Sequence, residues 1–209
     1  MNKEELLKHL EKNSRVLKSK KLRDAFATVD RKDFVRPDYS SEAYEDYPIP
    51  IEHGQTISQP TTVAFMLELL DPKEGEHILD VGSGSGWTTA LLAKLVGKDG
   101  KVIGAELVPE LVKFGQDNLS RYNFSHAQII EAGKKLGHPS EAPFDKILVS
   151  AASNKLPQEL VDQLTVGGRM VIPITDSICV IDKTQEDATS QKTYTGFAFV
   201  PLITENHEQ

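Results

Sequence analysis

Residues 78–86 constrain the fold of this chain of 209 residues more than any other segment. They read Ile-Leu-Asp-Val-Gly-Ser-Gly-Ser-Gly, an apolar run that ends in three glycines at alternating positions. A helical pattern follows over residues 88–95. Glycine permits a tight turn and leaves the backbone open to close approach by a ligand. The segment therefore predicts a buried strand that turns into a helix beside a binding site.

The spacing of these glycines separates the loop from two common nucleotide-binding motifs. A dinucleotide fingerprint needs GxGxxG or GxGxxA, but the slot for its third residue holds Trp87. A phosphate-binding P-loop needs a lysine after its last glycine, and none follows Gly86. The pattern GxGxG after an apolar strand instead resembles the glycine loop of class I methyltransferases, which passes close to the methionine part of S-adenosylmethionine.

A second short apolar strand ends in Glu106, at the close of the string Lys-Val-Ile-Gly-Ala-Glu over residues 101–106. A carboxylate ~20 residues beyond the glycine loop accepts hydrogen bonds from ribose hydroxyls in nucleotide-binding α/β folds. The alternative is that Glu106 only begins the next loop. Because loop, strand and carboxylate agree with one another, we favour the ribose-binding interpretation.

Apolar periodicity predicts strands and helices that alternate along the chain, which indicates a parallel sheet with helices on both faces. Two short helices precede this core, and residues 34–59, rich in Pro, Tyr, Ser and Asp, are interpreted as an ordered loop around the site. The tail is predicted to form two strands joined by a polar linker. The predicted segments are residues 4–10, 22–29, 78–81, 88–95, 102–106, 110–122, 128–131, 147–150, 158–164, 170–174, 177–181 and 194–201.

Residues 54–60, Gly-Gln-Thr-Ile-Ser-Gln-Pro, precede another predicted helix. Ser58 or Gln59 is placed to cap it, with Pro60 at its first position. Its apolar face consists of Val63, Met66, Leu67 and Leu70. A cap alone does not account for the polar residues Gln55 and Thr56.

These segments together resemble the protein-L-isoaspartate (D-aspartate) O-methyltransferase family. The resemblance rests on residues 43–51, 54–60 and 79–86, with further matches at residues 30–35, 142–145, 164–173 and 199–202. It implies a class I S-adenosylmethionine-dependent methyltransferase fold, a Rossmann-like doubly wound α/β sheet with a short N-terminal helical cap. We expect one domain, with the N-terminal helices and acceptor loop in residues 1–57 and the cofactor-binding core in residues 58–209.

The resemblance also implies an activity and a site. The enzyme would transfer a methyl group from S-adenosylmethionine to the α-carboxylate of L-isoaspartyl residues in damaged proteins, and the ester would then close to a succinimide. Ser58 would lie beside the acceptor carboxylate, in a pocket lined by Gln55, Thr56, Ile57 and Gln59. The expected cofactor-binding residues are Asp80, Gly82, Ser83, Gly84, Ser85, Gly86, Glu106, Leu107, Glu131, Ala132 and Gly133.

The chain departs from the family pattern after its third core strand. The family usually carries Gly-Asp-Gly there, with an acid that contacts the adenine amino group, whereas this sequence has Glu131-Ala132-Gly133. Either Glu131 replaces that acid through a local shift, or packing and backbone hold the adenine, or the substrate has changed. Two further alternatives stay open: a related methyltransferase that acts on a small acid or tRNA, and a non-catalytic S-adenosylmethionine-binding protein.

Charge, apolar runs and histidine spacing disfavour nucleic-acid binding, membrane insertion and metal binding. The net charge of -7 disfavours nucleic-acid binding through bulk electrostatics. No apolar run reaches ~18 residues and residues 1–12 are charged and amphipathic, so we expect a cytoplasmic protein without membrane partners. The six histidines show no metal-ligand spacing, and no metal is expected. The sequence does not set the oligomeric state, for which a monomer is the working expectation.

Overall fold

The computed structural model describes residues 1–203, which contain nine strands and six α-helices. The strands are β1 (Ile49–Glu52), β2 (Gln55–Ile57), β3 (His77–Val81), β4 (Lys101–Glu106), β5 (Ala127–Glu131), β6 (Phe144–Val149), β7 (Leu164–Ile174), β8 (Ser177–Gln185) and β9 (Ala188–Thr195). The α-helices are α1 (Lys3–Lys8), α2 (Lys20–Thr28), α3 (Pro60–Leu70), α4 (Trp87–Val96), α5 (Pro109–Leu119) and α6 (Gln158–Asp162). A π-helical turn, His9–Asn13, continues α1, and three 3-10 helices cover Arg31–Phe34, Pro37–Glu42 and Pro139–Glu141.

Seven strands form one sheet in the order β5-β4-β3-β6-β7-β8-β9. The first five strands of this order are parallel to their neighbours, and β8 and β9 add antiparallel pairs at one edge. The order reverses at β3, which pairs with β4 on one side and with β6 on the other. Open α/β sheets bind ligands at such a switch point, outside the carboxyl ends of the strands.

The two faces of the sheet bury alternate side chains of each strand, as the pleat requires. Ile78 and Val102 belong to the apolar cluster that also includes buried residues of α1 to α5. Leu79 and Ile103 belong to the opposite cluster, to which α6 contributes Leu160. The predicted arrangement of helices on both faces is confirmed, with five of the six described helices on one face.

Side-chain capping explains where the two N-terminal helices, α1 and α2, begin. Asn2 forms a capping box with Glu5 at the start of α1, and the Ser19 side chain accepts the Leu22 amide hydrogen at the start of α2. Phe26 of α2 packs edge-on against Trp87 of α4, with ring centroids 5.5 Å apart. This contact joins the cap to the helix that follows the glycine loop.

Three predictions of local structure were wrong. The polar segment predicted as a linker is strand β9, and only Thr195 and the residue before it belong both to β9 and to the predicted strand 194–201. Most of β9 is exposed at the sheet edge, so it carries no apolar alternation that a sequence pattern could detect. The predicted loop 34–59 contains the antiparallel hairpin β1–β2. Gln59 is the N-cap residue of α3 and Pro60 is its first residue, as predicted, but the Ser58 and Gln59 side chains make no capping bond there.

Within residues 1–203, no helix is both long enough and apolar enough to cross a membrane.

Candidate active site

A cleft opens at the switch point, where the carboxyl ends of β3, β4 and β6 meet the hairpin β1–β2. Both predicted groups of residues contribute to its walls. The predicted residues that line it are Gln55, Thr56, Ile57, Ser58, Gly82, Ser83, Gly84, Ser85, Glu106, Leu107, Ala132 and Gly133. The structure therefore brings together the acceptor segment and most of the expected cofactor residues, which lie far apart in the sequence.

The glycine loop is fixed by its own backbone hydrogen bonds. The amides of Gly82 and Ser83 donate to the Ala105 carbonyl oxygen at 2.8 and 3.2 Å. Gly84 has a φ of 51°, and a Cβ atom there would lie 3.1 Å from Ile51 Cδ1. Glycine at position 84 thus serves two needs at once, because it allows the left-handed backbone and the close approach of the hairpin.

Glu106 closes the loop against the end of β4. Its Oε2 accepts the Gly84 amide hydrogen at 2.9 Å, and its Oε1 accepts those of Leu107 and Val108 at 2.8 and 3.0 Å. The residue is only 7% exposed but lines the cleft. An ionised carboxylate has about four lone-pair sites. After the three amide bonds, Glu106 therefore keeps acceptor capacity for one further donor, such as a ribose hydroxyl.

Asp80 was predicted to contact the cofactor, but it lies beneath the loop and does not line the cleft. Its side chain is fully buried, and its Oδ2 accepts hydrogen bonds from the Thr88 and Thr89 hydroxyls, each at 2.7 Å. Burial raises the pKa of Asp80 to about 6, the two threonine bonds oppose this rise, and the nearby Glu106 charge adds to it. Asp80 therefore holds the first turn of α4 under the glycine loop.

Three other predicted site residues also lie outside the lining of the cleft. A Cβ atom on Gly86 would lie 3.0 Å from the Gly115 carbonyl oxygen, so that glycine serves packing. The Gln59 side chain turns toward the loop and donates to the Asp46 carbonyl oxygen at 2.9 Å. Glu131 is exposed at the end of β5. The structure thus gives no support to Glu131 as a substitute for the missing acid.

Ser58, the predicted acceptor-side residue, lies between β2 and α3 and lines the cleft. Its side chain is half-buried, and its hydroxyl makes no hydrogen bond with any residue in the described part of the chain. Its carbonyl oxygen accepts a bond from the Arg31 Nη2 at 3.0 Å. The backbone of Ser58 is therefore held in place while its hydroxyl stays available to a ligand.

Several lining residues were not predicted to belong to the site. The segment 200–203 forms part of the wall, because Leu202 donates to the Ala152 carbonyl oxygen and Val200 accepts from the Ala152 amide. Trp87 and Glu159 line the cleft as well, together with residues 134–137. These positions come from segments without regular structure or from helix starts, so only the tertiary fold reveals them.

Beside Lys134 and Lys135, the cleft around Ala132 has an apolar patch. Ala132 and Leu202 pack against the same buried cluster, and Leu107 presents a side chain that is 42% exposed. Such surfaces suit the face of a purine ring. Among residues 1–203, no group of three His, Cys, Asp or Glu side chains is arranged to hold a metal ion.

Comparison with known proteins gives a consistent result over the whole chain. The model of the protein-L-isoaspartate(D-aspartate) O-methyltransferase family (PCMT) matches residues 1–207. A protein-L-isoaspartate O-methyltransferase of Methanopyrus kandleri is 41% identical over 194 residues, which cover 90% of this chain and 86% of that protein. One of Aeropyrum pernix is 42% identical over 200 residues, with 93% and 77% covered.

Solved structures agree with these sequence matches. A Plasmodium falciparum chain described as a protein-L-isoaspartate O-methyltransferase, in complex with S-adenosyl-L-homocysteine, superimposes with a TM-score of 0.86 at 30% identity. The match covers 98% of this chain and all of that one. A second protein-L-isoaspartate O-methyltransferase shares the fold, with a TM-score of 0.86 at 23% identity over 96% of this chain and 66% of that one.

Proposed function

Because the chain belongs to the protein-L-isoaspartate(D-aspartate) O-methyltransferase family, we propose that its cleft transfers a methyl group from S-adenosylmethionine to the α-carboxylate of L-isoaspartyl residues. Proteins and peptides that contain isoaspartyl residues are then its substrates. The observation that carries the proposal is that Ser58 and Glu106, from separate parts of the chain, line one cleft. One cleft can therefore hold the acceptor and the cofactor together.

The donor groups of the cleft fit S-adenosylmethionine. Glu106 would hold the ribose hydroxyls, Gly82 and Gly84 would lie against the methionine part, and Leu107 and Ala132 would pack on the adenine. When bound, the cofactor supplies a methyl group on a positively charged sulfur, which leaves as a neutral thioether once an oxygen takes the methyl. Packing and backbone, rather than an acid at position 132, would then recognise the adenine.

The acceptor needs little activation, which agrees with the side chains present. A carboxylate with a reference pKa near ~3.3–4.3 is already ionised at neutral pH, so no general base is required. The described lining of the cleft contains no histidine. The Ser58 hydroxyl would donate a hydrogen bond that orients one carboxylate oxygen toward the methyl group without neutralising its charge.

The same arrangement explains a preference for isoaspartate. Isoaspartate and aspartate differ by one methylene that moves between side chain and main chain. A pocket that fixes the oxygen through Ser58 would therefore misplace an aspartyl carboxylate by about a bond length. A misplacement of ~1 Å can cost ~100-fold in rate.

The test measures transfer of labelled methyl groups, as base-labile ester, to an isoaspartyl peptide and to the matched aspartyl peptide. We expect transfer to the first and at least ~100-fold less to the second. Ser58→Ala should lower kcat for the isoaspartyl peptide, with little change in the Kd for S-adenosylhomocysteine, because the hydroxyl acts on the acceptor.

Ser120→Ala is a matched control, since Ser120 is exposed at the end of α5 and bonds only the Asp117 carbonyl oxygen. Its kcat should equal that of the wild type. Equal rates on the two peptides, or no transfer to either while S-adenosylhomocysteine still binds, would rule out the isoaspartyl assignment and point to another acceptor.

A further inference from the structure

The Arg31 guanidinium lies buried at the centre of the acceptor segment. Its Nη1 donates to the carbonyl oxygens of Ala43 and Glu45 at 2.8 and 3.2 Å. Its Nη2 donates to those of Tyr47 and Ser58 at 3.1 and 3.0 Å. The residue is 2% exposed. One side chain thus joins three carbonyl groups of the irregular segment 43–47 to that of Ser58.

These four bonds supply hydrogen-bond donors to carbonyl groups that regular secondary structure leaves without partners. Segment 43–47 has no helix or strand to satisfy its carbonyl groups, and buried carbonyls without partners are costly. The planar guanidinium presents several donors in a fixed fork, whereas a lysine ammonium is a point charge with no fixed plane. Arginine therefore sets the relative positions of all four carbonyls, and a lysine could satisfy only some of them.

The backbone of Arg31 is held in place by the hydrogen bonds of its neighbour Asp30. Asp30 caps the 3-10 helix that Arg31 begins, and its Oδ1 accepts the Tyr44 hydroxyl at 2.9 Å. The Asp30 amide donates to the Tyr122 hydroxyl at 2.8 Å. The guanidinium therefore extends toward the acceptor segment from a 3-10 helix whose start is fixed by hydrogen bonds.

The guanidinium also contacts the aromatic ring of Trp87. Its central carbon lies 5.3 Å from the centroid of the Trp87 ring, within the range of a cation–π contact. Trp87 begins α4 directly after the glycine loop and lines the cleft. Burial lowers the pKa of Arg31 to about 10, so the group still carries its charge at neutral pH.

We propose that Arg31 is a positioning residue for the acceptor: its guanidinium places Ser58 by binding the Ser58 carbonyl oxygen together with those of segment 43–47. The inference rests on the proposed role of Ser58 in orienting the acceptor carboxylate. Arg31 touches neither the acceptor nor the reacting atoms, and it acts through the position of the Ser58 backbone.

The experiment compares Arg31→Lys with the wild type in three measurements: kcat/KM for an isoaspartyl peptide, Kd for S-adenosylhomocysteine, and hydrogen exchange of residues 43–62. We expect kcat/KM to fall at least ~10-fold, since small misplacements of reacting groups have large effects on rate. The Kd should change by less than about threefold, because a lysine at position 31 removes no group from the cofactor residues. Exchange in residues 43–62 should rise.

A second variant, Arg31→Ala, tests the guanidinium itself. Added guanidinium ion at millimolar concentration should restore part of the methyl transfer in Arg31→Ala and none in Ser58→Ala. Arg169→Lys is the matched control, because Arg169 also holds a carbonyl oxygen, that of Leu69, but lies away from the cleft. It should keep the kcat/KM of the wild type.

The outcomes separate this inference from the proposed function. A folded Arg31→Lys with unchanged kcat/KM, or with equal losses in kcat/KM and cofactor affinity, would overturn the positioning role. Unchanged hydrogen exchange would overturn the anchoring of segment 43–47. If the wild type itself methylates no isoaspartyl peptide, the proposed function fails, and the exchange measurement alone decides whether Arg31 holds Ser58.

Discussion

Single side chains in this protein often serve the ligand and the fold together. Glu106 accepts three backbone hydrogen bonds at the glycine loop and also faces the cleft, so it shapes the site that it helps to form. Arg31 holds the acceptor segment in place through four carbonyl oxygens, although it does not line the cleft itself. Substitutions at such residues combine a loss of contact with a change in local order.

Glu106→Ala should weaken S-adenosylhomocysteine binding by ~1.5–3 kcal/mol, the range for hydrogen bonds to a charged group. This corresponds to roughly a ten- to hundredfold rise in Kd, measurable by isothermal titration calorimetry. Glu110→Ala, at an exposed acid on the first turn of α5, is the control and should bind like the wild type. Unchanged affinity in folded Glu106→Ala would remove Glu106 from the ribose site.

Asp80 should give the protein a distinct pH dependence of stability. An acid whose folded pKa lies above its unfolded value binds its proton more tightly in the native state, so its stabilising effect is present at low pH. That effect is lost as pH rises from the ordinary aspartate pKa of 3.8 to about 6. The difference between these two pKa values corresponds to at most ~3 kcal/mol.

The measurement is urea unfolding of the wild type and Asp80→Asn at a series of pH values from 4.5 to 7.5. The free energy of unfolding of the wild type, relative to the variant, should decrease as pH rises across this range. Asp99→Asn, at an exposed position, should show no such relative change. If the free energy of unfolding changed with pH equally in the wild type and in Asp80→Asn, a raised pKa of Asp80 would be contradicted.

At the scale of elements, the site depends on how closely α5 packs on the glycine loop. Gly115 lies inside α5, and a Cβ atom there would lie 2.8 Å from the Gly84 carbonyl oxygen. The Asn118 side chain of the same helix donates to the Ser85 carbonyl oxygen at 3.0 Å. A glycine in a helix normally costs stability, and here it allows the helix to support the loop directly.

Gly115→Ala should therefore destabilise the protein although alanine favours helix formation. Propensity alone would stabilise the variant by roughly 0.5–1 kcal/mol, whereas overpacking costs typically 1–3 kcal/mol. We expect a net loss of about 1 kcal/mol in chemical denaturation, together with weaker S-adenosylhomocysteine binding because the Gly84 carbonyl must move. Lys113→Ala, on the exposed face of α5, is the control and should keep the ligand affinity of the wild type. If Gly115→Ala were more stable than the wild type, α5 and the glycine loop could move apart without a loss of free energy.

At the scale of the whole molecule, the hairpin β1–β2 and the core meet at one cleft, so a ligand in it should stabilise them together. A ligand that binds only the native state stabilises it by ~2.7 kcal/mol at 100 times its Kd. For a chain of this size, S-adenosylhomocysteine at that concentration should raise Tm by roughly 5–10 °C. Glu106→Ala at the same ligand concentration should show a smaller rise, and an equal rise in both would contradict the role of Glu106.

The sequence by itself determined the elements whose signals are local. The glycine loop, the strand ending in Glu106 and the amphipathic helix α3 each have a period or turn chemistry that depends only on neighbouring residues. Together with the string at residues 54–60 they were enough to predict the sheet, the cofactor and the family. Local patterns are readable because each element must bury one face whatever its partners are.

Only the tertiary structure decided which residues line the cleft and which support it from behind. Asp80 and Gly86 belong to the glycine motif, but packing turns the first under α4 and the second toward α5. The exposed strand β9 has no apolar pattern, because solvent covers most of it. The apolar residues 200–203 reach the cleft through backbone bonds to Ala152, which only the fold provides. The role of Arg31 depends on carbonyls up to 27 residues away, and such partners follow from the folded path of the chain rather than from local sequence.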